Sequence, residues 1–240
     1  EPTRFDLLGS TQINDANIGV LTNPGTVRPE YVNDIEAGVR WSGAVGRLSV
    51  NAFAMFFRDE IAPIGPFIEQ QFVQLRKNVP QSRRLGIEID GSVRITSWLS
   101  ADLVATVMDA VVDEYAPENT GVDTVYTNVR PILTPPIQLS GTLRWEPLDV
   151  VDVEVGARYV AASATDLSNA SGLELPSFTQ FDVRLWWTFS GSHRVGVLAN
   201  NITDAFIVTN GGSAFDGTAM VPTYFVQAGR NFAVLLDLRF

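Results

Sequence analysis

The chain is 240 residues long, a size that one β domain can fill, and it carries a formal net charge of −10. That charge argues against nucleic acid as a partner, since phosphate contacts need clustered Lys and Arg, and the absence of cysteine excludes a disulfide framework and a thiolate metal site. No run of about 18 apolar residues is present, which excludes a transmembrane helix but leaves membrane-crossing strands open, because their signal is weaker per segment.

Residues 1–30 are rich in Gly, Asn, Pro and Thr and read as a long loop, with residues 5–8 as the end of an earlier strand. Strict alternation then begins. Ile35, Ala37, Val39 and Trp41 face one way, and Asp34, Glu36, Gly38 and Arg40 the other. After a turn at 42–46, Leu48, Val50, Ala52, Ala54 and Phe56 form the apolar face of a second strand whose other face is mixed. Residues 61–83 read as a long connection with prolines. The third strand sets Leu85, Ile87, Ile89, Gly91, Val93 and Ile95 against Arg84, Glu88, Asp90, Ser92 and Arg94. Only 96–98 separate it from the fourth, with Leu99, Ala101, Leu103, Ala105 and Val107 on its apolar side.

An acidic loop follows at 113–136. The next hairpin has the clearest pattern: Ile137, Leu139, Gly141, Leu143 and Trp145, a turn at 147–149, then Val151, Val153, Val155, Ala157 and Tyr159. Its other face holds Gln138, Ser140, Thr142, Arg144, Asp152, Glu154 and Arg158. A loop at 163–176 leads to a seventh strand with Phe181, Val183, Leu185, Trp187 and Phe189 on one face. After a tight turn at 190–192 comes an eighth strand to about residue 202, a Gly-rich loop at 204–222, and a last strand with Phe232, Val234, Leu236, Leu238 and Phe240 on one face.

Nine strands thus alternate short turns with long loops, the habit of outer-membrane barrels, whose turns are short on one side and loops long on the other. A soluble sandwich has no reason to keep loop length in step with strand parity. No charged side chain falls mid-strand on the apolar face, as expected where an exposed Arg or Lys would cost about 2–4 kcal/mol. Arg40, Arg94, Arg144, Arg158 and Arg184 all take the other face, where acids such as Glu36, Asp90 and Asp182 are expected to pair with them. Trp41, Trp98, Trp145, Trp187 and Tyr159 lie near strand ends, the place of an aromatic girdle.

Several segments resemble the barrel of TonB-dependent outer-membrane receptors. Arg28-Pro29-Glu30-Tyr31 followed by Ile35-Glu36-Ala37-Gly38 is similar to a strand start of that family, and Gly86-Ile87-Glu88-Ile89 to its G-[VI]-E-[LI] strand. Asp109-Ala110 matches a strand end, without the usual tyrosines, and Thr134-Pro135-Pro136 a strand opening. Asn201-Ile202-Thr203-Asp204 resembles the N-L-x-D signature with Phe206 after it, and Gly229-Arg230 with Phe240 resembles the final G-R … F strand. The resemblance implies an all-β fold, an antiparallel up-and-down transmembrane β-barrel, of which residues 1–240 are the C-terminal portion of about nine strands. Plug domain, TonB box and earlier strands are expected before Glu1.

The implied function is uptake of a scarce ligand (ferric siderophore or similar chelate, cobalamin or oligosaccharide) across the bacterial outer membrane, energised by the TonB complex through the plug. Partners implied are outer-membrane lipid, the TonB complex, the imported small molecule and the outer-membrane assembly machinery; no cofactor is expected. The rivals are a passive porin and a soluble β-sandwich binding module, in which Phe232, Val234, Leu236 and Leu238 would meet a second sheet. Loop aromatics Phe67, Phe72, Tyr115, Tyr126 and Phe215 are candidate ligand contacts by position, against loop self-packing. The acidic residues Asp113, Glu114, Glu118 and Asp123 suit cations or solvent. The terminal strand, with Phe232 and Phe240, resembles the signal read by the assembly machinery. No catalytic or metal site is expected: His193 is the one histidine, and no nucleophile elbow is present.

Overall fold

The computed structural model describes residues 27–62, 67–68, 73–74, 76–116, 124–166 and 168–239, and every regular element among them is a β-strand. In chain order these are β1 (Tyr31–Gly43), β2 (Gly46–Ala62), β3 (Phe67–Ile68), β4 (Val73–Gln74), β5 (Lys77–Arg94), β6 (Leu99–Tyr115), β7 (Tyr126–Val129) and β8 (Ile137–Leu148). They continue as β9 (Val151–Val160), β10 (Ser163–Ala164), β11 (Glu174–Leu175), β12 (Phe178–Phe189), β13 (His193–Asn200), β14 (Val208–Phe215), β15 (Met220–Val226) and β16 (Asn231–Asp237).

One sheet follows the path β1-β2-β5-β6-β8-β9-β12-β13-β16, with β7 added beside β6. These are the nine strands read from alternation, each beside the next, and every pairing with a defined register is antiparallel. β1 and β16 are the two ends of an open path. The short connections are 44–45, 95–98, 149–150 and 190–192, and they alternate with long ones at 63–76, 116–136, 161–177 and 201–230. The minor strands pair off within the long connections as β3-β4, β10-β11 and β14-β15.

Register keeps each face chemically uniform. Leu103 faces Gly141, Leu143 faces Val155, Leu185 faces Val153, and Val197 faces Val234. This apolar face is uncovered: Leu143 is 42% exposed, Trp187 52%, Leu103 48% and Val234 72%. The sandwich expectation therefore fails, because among the described residues no second sheet covers Phe232, Val234, Leu236 or Leu238. A soluble monomer rarely exposes an apolar patch above about 300–600 Å². Here the exposed face recurs on strand after strand, as lipid contact requires.

Three strands are longer than alternation indicates. β5 starts at Lys77, inside the stretch expected to be loop, and contains an exposed Pro80; β2 runs to Ala62 and β6 to Tyr115. At these ends the two faces no longer divide apolar from polar: Ala110, Val111 and Val112 are consecutive and all buried. The Gly-rich stretch 204–222 is also more ordered than expected, holding β14 and most of the β15 hairpin partner. Gly211 is required there, since a Cβ would sit 2.3 Å from the Thr223 carbonyl oxygen.

The chain divides into two compact units. The first comprises Glu1–Ile35, Phe53–Leu85 and Ala110–Pro131. Its described core is Val27, Val79, Val112, Tyr115 and Val129. Around that core, Asn78 Nδ2 donates to the carbonyls of Arg28 (2.8 Å) and Asp59 (2.6 Å), and Arg84 pairs with Glu60 at 2.5 Å. Arg28 also pairs with Asp59, and the Ser82 hydroxyl donates to Glu60. Asp59 takes a positive φ of 58°, the local irregularity at which the strand's alternation breaks. The second unit comprises Glu36–Ala52, Gly86–Asp109 and Ile132–Phe240. Its buried residues gather among the long connections: Ala164, Leu173, Leu175, Phe178, Ile207 and Val208.

Candidate functional site: the polar face and its loops

In the second unit the polar face carries a ladder of ion pairs. Arg144 lies opposite Glu154, which lies opposite Arg184, so a single row crosses β8, β9 and β12. Arg144 Nε is 3.2 Å and Arg184 Nη1 2.8 Å from the Glu154 carboxylate, and Arg144 Nη1 is 3.0 Å from Asp102 on β6. Nearer the short turns Arg194 meets Asp152 at 2.7 Å, and Arg47 meets Asp90 at 3.7 Å. These residues remain partly solvated, so each pair contributes about 1 kcal/mol or less. The acids that pair with Arg144 and Arg184 are thus Asp102 and Glu154; the expected Asp182 is engaged elsewhere. The register decides this, because direct cross-strand neighbours are closest.

Trp186 is the large aromatic of this face. The Arg194 guanidinium lies 4.8 Å above its ring, and the ring covers Gly196 so closely that an added Cβ would meet it at 2.6 Å. Trp187, one residue on, takes the apolar face with Trp41, Trp98 and Trp145, all about half exposed and close to the short turns.

The long connections of this unit pack on one another. The Leu133 N–H donates to the Ala164 carbonyl (2.9 Å), and the Tyr224 hydroxyl donates to the Glu174 carbonyl (3.0 Å). Asn201 organises the start of the 201–230 connection. It is 2% exposed, has φ 50°, and its amide both donates to the Ala205 carbonyl and accepts the Ala205 N–H, each at 2.9 Å. Its own N–H donates to Asp182 Oδ1 at 2.8 Å. Asp204 Oδ1 then accepts the Arg230 N–H at 2.8 Å, and a Cβ at Gly229 would lie 2.8 Å from that oxygen. The N-x-x-D and G-R motifs, far apart in sequence, are one hydrogen-bonded knot. At the hairpin tip, Asp216 accepts the N–H groups of Ala219 (3.0 Å) and Thr218 (2.8 Å) and the Thr218 hydroxyl, which holds its carboxyl below the usual carboxylate range.

Between these connections and the polar face of β6, β8 and β9 lies a cavity of about 500 Å³, bordered by Arg158 and roofed by Leu175 and Val208. Arg158 stands 5.0 Å over the ring of Phe178.

The residues singled out by sequence are scattered relative to this cavity. Tyr115 is 5% exposed and stacks on Tyr126 at 5.2 Å, both in the first unit. Phe67 falls in β3 and Phe215 in β14, while Phe72 and Phe240 lie outside the described residues, as do Glu118 and Asp123. Asp113 pairs with Arg83 at 2.7 Å. Phe232 is 68% exposed on the apolar face opposite Ala199. His193 Nδ1 accepts the Arg239 N–H at 3.2 Å. Sequence reasoning placed Arg158 on the correct face but missed Phe178, the polar-face residue three before Phe181. The polar face of β12 begins at Phe178, and an apolar residue there was the available signal.

An antiparallel meander with one exposed apolar face and one ion-paired face is the wall of a transmembrane β-barrel. Residues 1–202 match the family described as TonB dependent receptor-like, beta-barrel, and the chain belongs to that family. No curated protein sequence matches it. Among solved structures, the siderophore receptor PiuA from Acinetobacter baumannii is similar at 17% identity with a TM-score of 0.70, over 90% of this chain and 29% of the receptor. The ferric yersiniabactin uptake receptor FyuA from Yersinia pestis is similar at 16% identity and a TM-score of 0.64, over 85% of this chain and 29% of that one. The copper transporter OprC is similar at 16% identity and a TM-score of 0.65, over 89% of this chain and 32% of that one. The chain therefore spans less than a third of each, and at these identities the likeness speaks for the fold.

Proposed function

We propose that the chain is the C-terminal portion of a receptor barrel in the bacterial outer membrane, supplying barrel wall and extracellular loops for TonB-energised uptake of a scarce ligand. The observation that carries this reading is the uncovered apolar face across the nine-strand meander, in a chain belonging to a receptor barrel family. Siderophore and copper are the cargoes named for similar structures, which favours a metal or metal chelate as ligand. On this reading the ion-pair ladder lines a wet lumen, where each Arg is neutralised without stiff packing. The long connections face outward, with Tyr126 and Phe215 available to ligand. The plug, lying outside this chain, couples to the TonB complex, and the last strand with Phe232 and Phe240 is read by the assembly machinery.

The test is growth and uptake in the parent bacterium. Deleting the complete gene is expected to abolish energised uptake of one ferric chelate from a panel, and collapse of the proton-motive force is expected to do the same to the parent strain. Uptake that persists without the proton-motive force would favour a passive channel.

A further inference from the structure

We propose that the cavity between β6, β8, β9 and the loops carrying β11 and β14 binds a small aromatic anion, a ring bearing carboxylate or phenolate oxygens. Resting on the uptake reading, this names the part of the imported molecule that the barrel wall grips.

The argument starts from charge bookkeeping on β8, β9, β12 and β13. Arg144, Arg184 and Arg194 each meet a carboxylate. Arg158 does not: among the described residues no carboxylate pairs with it. By register Arg158 lies opposite Ser140 and Gln180. The next acid on that face, Asp182, is already engaged. Its Oδ1 accepts the Gln180 amide (3.0 Å) and the Asn201 N–H (2.8 Å), and its Oδ2 accepts the same Gln180 amide (3.1 Å). In a chain of net charge −10, one cation is left without a carboxylate beside a cavity.

The surroundings fix what that cation can hold. Phe178 is 7% exposed, so its ring is a fixed platform beneath the guanidinium. Leu175 and Val208 supply an apolar roof, and Thr106 and Ser140 supply hydroxyls on the wall. A guanidinium presents paired N–H groups that match two oxygens of one anion, while the platform and roof suit a flat ring. The volume of about 500 Å³ accepts one such group rather than a peptide or a sugar chain.

The experiment uses the full-length receptor purified in detergent, with benzoate as probe and benzamide as its uncharged match, followed by equilibrium dialysis. Benzoate is expected to bind saturably, with benzamide weaker by about tenfold or more, the worth of one charge-assisted contact. Arg158→Gln is expected to lower benzoate affinity by a similar factor and to leave benzamide unchanged. Arg158→Lys, which keeps the charge but not the fork, is expected to fall between. Retention of the folded, heat-modifiable form by both variants separates lost binding from lost structure. Equal binding of the two probes, unchanged benzoate affinity in Arg158→Gln, or no saturable benzoate binding to the parent would each overturn the proposal. Energised uptake without benzoate binding sinks this inference alone; benzoate binding without energised uptake sinks the uptake reading.

Discussion

Replacing Leu103 by Arg places a charge where the account puts the middle of the bilayer. Leu99 pairs with Trp145, a half-exposed Trp near the short turns, and Leu103 pairs with Gly141, four residues further along β6. At about 3.4 Å per residue and a strand tilt of about 40°, Leu103 lies about 10 Å inward from the Trp145 level. An apolar band is about 25 Å tall, so that depth is close to its centre, and Leu103→Arg is expected to cost about 2–4 kcal/mol. Leu99→Arg, at the Trp level, is expected to cost about 0–1 kcal/mol. Thr142→Arg on the polar face, beside Asp102, is expected to stay within about 0.5 kcal/mol of the parent. The assay is urea unfolding of the full-length protein in lipid vesicles, with the folded fraction read from mobility on unheated gels. A flat series, or a Thr142→Arg cost equal to that of Leu103→Arg, would refute the face and depth assignments together.

Other consequences follow from single contacts. Asn201→Ala removes both amide bonds to Ala205 at a 2%-exposed site and is expected to lower stability in the same unfolding assay by about 1–3 kcal/mol. Gly196→Ala forces a methyl against Trp186, whose ring Arg194 holds from above; a loss of about 1–3 kcal/mol is expected, largely recovered in the Trp186→Leu, Gly196→Ala double variant. Glu154→Gln breaks two partly solvated pairs at once, yet about 1 kcal/mol or less per pair is expected, shrinking in high salt. Asp216 has a native pKa held below its unfolded value, so its contribution is complete above the ordinary carboxylate range and is lost as pH falls through the lowered native pKa. Hydrogen exchange at the Thr218 and Ala219 amides is expected to stay constant at neutral pH and to quicken only in acid; a loss of protection near pH 7 would contradict it.

The membrane-facing part of the fold was legible because two solvents act on one strand. Lipid on one side and polar surroundings on the other impose period 2, and Leu139, Leu143, Val155 and Leu185 keep it without exception. Beyond that zone the constraint disappears. Residues 77–83 and 110–115 continue their strands with both faces partly packed by other segments, so Pro80 and the Ala110-Val111-Val112 run carry no alternation to read. The β14–β15 hairpin was hidden by Gly211, Gly212 and Pro222, residues that ordinarily signal loop and here serve close backbone approach and packing against Leu175. The candidate site was half legible. Arg158 fell on the right face, but its lack of a carboxylate partner depends on Asp182 turning to Gln180 and Asn201, a contact formed only when the loop folds back.

The central claim is that the alternating apolar residues touch lipid. The most direct measurement is a scan of single cysteines along β8 and β9 in the full-length receptor, a scan eased by the absence of cysteine from this chain. Each is labelled with a fluorophore and tested with a lipid-borne quencher. The account predicts quenching with period 2, strong at positions 139, 141, 143, 153 and 155 and weak at 140, 142, 144, 154 and 156. Quenching that ignores this parity, or water-soluble quenchers reaching both sets equally, would contradict it.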